Sequence, residues 1–184
     1  MKDNKNTENR MSHTRKLVTA ALFAAICYGM TLVSVPLPVV GYGNLGDCFV
    51  LLSGWLLGPL WGAAAAGLGT MLADMTLGYG LYAPATFVIK ALMAVVAYFL
   101  GSVLAKFLVH KGGRILAHVA AAICGEIIMV GGYFAYESVL YGVTAAAGSL
   151  LGNSVQALAG IVLSTVLITV IRSSKVLTRL FPKL

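Results

Sequence analysis

Four apolar stretches, 17–35, 85–105, 115–140 and 150–171, are each long enough to cross about 30 Å of hydrocarbon as an α-helix. A bilayer offers no water to exposed backbone groups, so segments of this kind must satisfy their own hydrogen bonds. Composition rules out the alternatives: 10% of the 184 residues are charged and 59% apolar, whereas roughly a quarter of a soluble domain is charged. A soluble enzyme, a secreted disulfide scaffold and a disordered chain are excluded. Cys27, Cys48 and Cys124 are odd in number, lie in apolar surroundings and form no CxxC or Cys/His pattern, which suits inert packing residues.

The stretch 45–76 needs separate treatment. As one helix it would run about 48 Å, too long for an ordinary bilayer, and Gly58-Pro59 interrupts it near its middle. Two short spans turning at Gly58-Pro59 bring the total to six, and the basic residues then sort by side. Lys2, Lys5, Arg10, Arg15 and Lys16 precede the first span; Lys106, Lys111 and Arg114 separate the fourth from the fifth; Arg172, Lys175, Arg179 and Lys183 follow the sixth. Twelve of the 13 basic residues thus fall on the cytoplasmic side, and the outer loops 36–44, 77–83 and 141–149 hold none. The expectation is an all-α integral membrane protein, a compact bundle of six transmembrane helices with both termini cytoplasmic. Residues 17–172 form the membrane domain between basic tails 1–16 and 173–184. No small-residue cleavage site follows the first tail, so the first span reads as a retained anchor. The net charge of +7 is a topological signal and implies no nucleic-acid partner.

The thirteenth basic residue, Lys90, lies inside the fourth span, and Asp47, Asp74, Glu126 and Glu137 lie in or beside spans. A charge at a helix centre costs roughly 2.5–3.5 kcal/mol even on lenient scales, so such groups face a cavity, a partner or water. Most fall in the outer half of this topology. Asp47 opens the second span at the membrane boundary, Asp74 closes the third, Lys90 follows Pro84 by about two turns, and Glu126 sits near the midplane. Asn153 and Gln156 share a face of the sixth span with Ser149 and Gly160, as do Glu126, Tyr133 and Glu137 on the fifth. One reading is an outward-opening pocket for a small polar molecule, with Lys90, Asp74, Glu137, Asn153 and Gln156 as polar contacts. Its aromatic walls would come from Tyr79, Tyr82, Tyr133, Tyr136 and Tyr141. The other is structural: Lys90 pairs with Asp74 or Glu137, Asn153 and Gln156 join helices, and the tyrosines form an interface belt. Both can hold at once.

Small residues recur at a spacing of four. Ala20 with Ala24 and Ala21 with Ala25 occupy the first span, and Gly62 with Ala66, Ala63 with Gly67 and Ala65 with Gly69 the third. Such faces serve internal helix contacts or the docking of another membrane subunit. The chain has no GxxxxGK[ST] loop, no HExxH, no GxSxG and no inverted repeat, and His13, His110 and His118 lack helical ligand spacing. Uphill transport would therefore draw on an ion or on another subunit.

Gly46-Asp47, Gly58-Pro59-Leu60-Trp61-Gly62, Leu72-Ala73-Asp74 and Pro84-Ala85-Thr86-Phe87-Val88-Ile89-Lys90 resemble the signature of the riboflavin-type S components of energy-coupling factor (ECF) vitamin transporters. Asn153-Ser154-Val155-Gln156 is similar to the NxxQ on the last helix of many members. The resemblance implies a six-helix protein that captures a vitamin or vitamin precursor from outside. It would have no cofactor and no ATPase of its own, and would work with a transmembrane scaffold subunit and two cytoplasmic ATPases that use ATP. It also implies that Ala20, Ala21, Ala24 and Ala25 form the docking face and that the loop 35–46 acts as a lid, its Pro36, Pro38, Gly41 and Gly43 suiting non-helical backbone. Riboflavin, a pyridoxine-like ring and a pyrimidine precursor remain open as substrates. A solitary ion-coupled carrier relaying protons through Asp74, Glu126 or Lys90 is the rival, and a non-transport membrane protein the third reading.

Overall fold

The computed structural model describes residues 13–36, 42–108, 112–174, 178 and 181. Lys2, Lys5, Arg10, Pro38, Gly41, His110, Lys111, Lys175, Arg179 and Lys183 lie outside the described residues. In chain order the elements are α1 (His13–Leu32), β1 (Ser34–Pro36), β2 (Tyr42–Asn44), α2 (Gly46–Leu57), α3 (Pro59–Thr76), α4 (Ala83–Phe107), α5 (Gly113–Tyr141) and α6 (Val143–Ser173). Six helices agree with the all-helical expectation, and α1, α4, α5 and α6 are long and apolar enough to cross a membrane.

The breaks follow from backbone chemistry. Gly58 adopts φ 86°, open to glycine at no steric cost, and Pro59 starts α3 where its missing N–H is not needed. Gly142, also at φ 86°, is the whole connection between α5 and α6. The sixth helix therefore begins at Val143, well before the expected 150, because the alanine-rich start of α6 favours helix over loop. That extension carries Ser149 into the helix.

Two differences bear on function. The first is a hairpin within the otherwise helical chain: β1 and β2 pair antiparallel, with Ser34 opposite Asn44 and Val35 opposite Gly43. The second concerns α2. Its 12 residues rise only about 18 Å, and every one except Phe49 is buried. It is a core helix that packs on α1, α3, α4 and α6. Asp47, expected at the membrane boundary, is accordingly 1% exposed.

Packing around α2 and α3 is close because the contact residues are small. Gly54 of α2 lies against the Ala94 backbone of α4, Gly62 of α3 against Ser53, and Gly69 against the Ala24 carbonyl of α1. Trp55 Nε1 donates to the Ala97 carbonyl at 3.0 Å, and its ring meets His118 edge-on. The outer surface is the apolar one: Phe107 and Leu151 are 78% and 77% exposed, an arrangement suited to hydrocarbon and costly in water. Gly54→Ala should push α2 from α4 and cost about 1–3 kcal/mol, read as a lower unfolding midpoint in detergent. An unchanged midpoint would contradict this packing.

Candidate ligand-binding site

At one end of the bundle three helix faces converge beneath the hairpin. α4 contributes Thr86 and Lys90, buried one turn apart. α5 contributes Glu126, Tyr133 and Glu137, and α6 contributes Ser149, Asn153 and Gln156. These faces carry the polar residues inward while Val88, Ile127, Leu151 and Val155 point outward. They line an open cavity of about 100 Å³, or about 590 Å³ with the space of its mouth included. Asp74, Tyr82, Tyr133, Glu137, Asn153 and Gln156, all expected from the sequence, line it together with Asn44, Tyr79, Thr86 and Ser149.

Lys90 does not line the cavity. Its Nζ forms an ion pair with Asp47, the two side chains being 3% and 1% exposed, and lies 5.4 Å from the centre of the Tyr133 ring. The expectation that Lys90 pairs with Asp74 or Glu137 is thereby corrected. The cause is the shortness of α2, whose first turn sets Asp47 at the depth of Lys90. Gln156 completes this floor: its Nε2 donates to Asp47 Oδ2 at 2.6 Å. Its Oε1 accepts from the backbone N–H of Asn44 at 3.0 Å and from Asn44 Nδ2 at 3.3 Å. One amide thus joins the ion pair to the hairpin.

Nearer the mouth, Glu137 accepts hydrogen bonds from Ser149 Oγ and, at 3.4 Å, from Tyr82 OH. Burial, with Glu137 beside it, holds the Tyr82 hydroxyl above the usual tyrosine range, so it stays protonated as a donor. Thr86 Oγ1 and Tyr133 OH are hydrogen-bonded at 2.9 Å. Tyr79, Tyr136 and Tyr141 gather around the Tyr82 ring with centroids 5.7–6.4 Å away. Glu126 is 2% exposed beside Gly160, and neither of its oxygens has a hydrogen-bond partner among the described residues.

Sequence reading missed Asn44 and Thr86. Thr86 had a signal, since it precedes Lys90 by one turn on the same face, but Asn44 reaches the cavity only through the hairpin. The alanine pairs of α1 divide. Ala20 is buried and the Ala24 carbonyl packs on Gly69, whereas Ala21 and Ala25 are exposed in line with Val18 and Leu22.

An apolar exterior, a buried polar network and a cavity at one end define a small membrane-embedded binding protein. Over residues 11–173 the chain matches the model of a family described as ECF-type riboflavin transporter, S component, and it belongs to that family. It is a substrate-binding subunit of an ECF vitamin importer and not an enzyme, which decides among the three readings of the sequence. It is also 36% identical over 140 residues, covering 76% of this chain and 88% of the relative, to an uncharacterized protein of Pyrococcus woesei.

Proposed function

We propose that this subunit captures a vitamin or vitamin precursor in the cavity between the starts of α4 and α6 and the end of α5, open to the outside of a prokaryotic cytoplasmic membrane. The observation that carries this reading is the cavity itself, where aromatic rings and polar groups from three helices converge under a polar latch. Asp74, Tyr82, Tyr133, Glu137, Asn153 and Gln156 are the contacts to substrate, and Lys90 acts from below by fixing Asp47 and, through it, Gln156. The hairpin is the lid, fastened by Asn44 to Gln156.

In the same proposal the chain crosses the membrane six times with both termini in the cytoplasm, residues 17–172 forming the binding domain between tails 1–16 and 173–184. Support comes from charge: Arg15, Lys16, Lys106, Arg114 and Arg172 sit at the end opposite the cavity, and the loops at the cavity end contain no Lys or Arg. Release to the inside draws on partners, a transmembrane scaffold subunit and two cytoplasmic ATPases that consume ATP, with no cofactor held by this chain. Ala21 and Ala25 form the docking surface for the scaffold, while Ala20 and Ala24 hold α1 against α3.

Asn153 tests the site because it lines the cavity and its one described side-chain hydrogen bond, to Ser149 Oγ, is long at 3.5 Å. Asn153→Ala should weaken substrate binding about tenfold, roughly 1.4 kcal/mol, without changing the unfolding midpoint. Unchanged affinity would remove Asn153 from the site.

A further inference from the structure

The end of the bundle opposite the ligand cavity holds a second concavity. α4 and α6 finish at this end and α5 begins there, which brings together Lys106 in the last turn of α4, Arg114 in the first turn of α5 and Arg172 in the last turn of α6. With Gly101, Ser102 and His118 they line an open pocket of about 280 Å³, or about 750 Å³ with the space of its mouth included. Among the described residues no Asp or Glu lines it, and it shares no lining residue with the ligand cavity.

Helical spacing sets these donors. Ser102 precedes Lys106, and Arg114 precedes His118, by one turn, so each pair shares a face of its helix. Gly101 keeps the pocket open, since a Cβ there would come within 3.3 Å of Trp55 Nε1. The Arg114 carbonyl can only accept, so its 2.6 Å contact with His118 Nδ1 requires a proton on that nitrogen. Arg172 Nη1, 3.4 Å from the same nitrogen, then meets it as donor against donor. Basic residues at helix C-termini complement the helix dipole, which accounts for Lys106 and Arg172 one at a time. Arg114 stands instead at the positive N-terminal end of α5, where the dipole and the first backbone N–H groups favour an anion. Its charge beside two more in one pocket adds repulsion that a bound anion relieves.

We propose that this pocket binds a phosphate group, with Lys106, Arg114 and Arg172 supplying charge and Ser102 a hydroxyl donor. Arginine suits this chemistry because its planar fork matches two phosphate oxygens. The group comes either on the headgroup of an anionic phospholipid or as free phosphate. Exposed Val103, Phe107 and Leu116 border these residues along α4 and α5 and offer the apolar surface that lipid chains would need. Basic pockets between helix ends hold anionic headgroups in this way.

Native mass spectrometry of the full chain in detergent, titrated with phosphatidylglycerol or phosphatidylcholine, tests the lipid source. The unfolding midpoint in inorganic phosphate against chloride at equal ionic strength tests the free one. The expected result is phosphatidylglycerol binding at least about tenfold more tightly than phosphatidylcholine, a midpoint raised by inorganic phosphate, or both. The first result alone identifies a lipid site, and the second alone a site for free phosphate. Whichever probe binds, Lys106→Gln with Arg114→Gln should weaken it about tenfold or more. Ser102→Phe, which fills the pocket without changing charge, should do the same. Arg15→Gln with Lys16→Gln removes equal charge from the same end outside the pocket and should change binding less than about twofold. Lys106 and Arg114 are exposed, so their paired variant remains a test even if the phenylalanine lowers stability. Neither probe binding to folded wild type would overturn the proposal, as would phosphatidylcholine matching phosphatidylglycerol without any effect of inorganic phosphate. Equal losses in the two charge pairs, or full binding by a folded Ser102→Phe variant, would overturn it too.

Discussion

Lys90→Met should destabilise the protein by about 3–5 kcal/mol, because it strands the Asp47 carboxylate without its counter-ion in a fully buried position. The methionine fills similar space, so the loss reports charge rather than volume. Asp47 also accepts from Gln156, which in turn holds Asn44 of the hairpin, so the damage should spread from the floor to the lid. Substrate binding should fall with stability. A companion double variant, Lys90→Met with Asp47→Leu, removes both charges and should recover most of the lost stability while Gln156 remains without its floor contact. Unfolding midpoints in detergent for the two variants check this: similar losses in both would contradict a paired buried charge, and no loss in the single variant would place Lys90 elsewhere.

Ala21→Phe with Ala25→Phe should reduce vitamin uptake by cells to background while leaving the affinity of the isolated subunit unchanged. Both alanines are exposed on α1 in line with Val18 and Leu22, so bulk there does not invade the bundle but does hold a partner helix away. Ala20→Phe provides the contrast: Ala20 is 7% exposed, and the same bulk at that position should lower stability and binding together. Full uptake by the double phenylalanine variant would show that the scaffold docks on another face.

Much of the helical layout was legible because each signal was local. Apolar length marked α1, α4, α5 and α6, and Gly58-Pro59 marked the break between α2 and α3. The inward stripes of Ser149, Asn153 and Gln156 and of Tyr133 and Glu137 followed from helical spacing, and these residues do line the cavity. What stayed hidden depends on contacts between distant segments. Sequence grounds offered Lys90 Asp74 or Glu137 as partners, and only the buried, short α2 brings Asp47 to it instead. Asn44 lies 112 positions from Gln156, and no periodicity connects the end of a hairpin strand to a helix. The alanine spacing on α1 likewise could not say that one pair faces α3 and the other the surface.

Substrate capture in the cavity beneath the hairpin can be checked by native mass spectrometry of protein purified gently from cells supplied with vitamins, in wild-type and Asn153→Ala forms. The expected result is a vitamin-sized mass bound one-to-one to the wild type and depleted in the variant. A folded wild type that carries no such mass and acquires none from a vitamin panel, or a ligand retained equally by the variant, would contradict it.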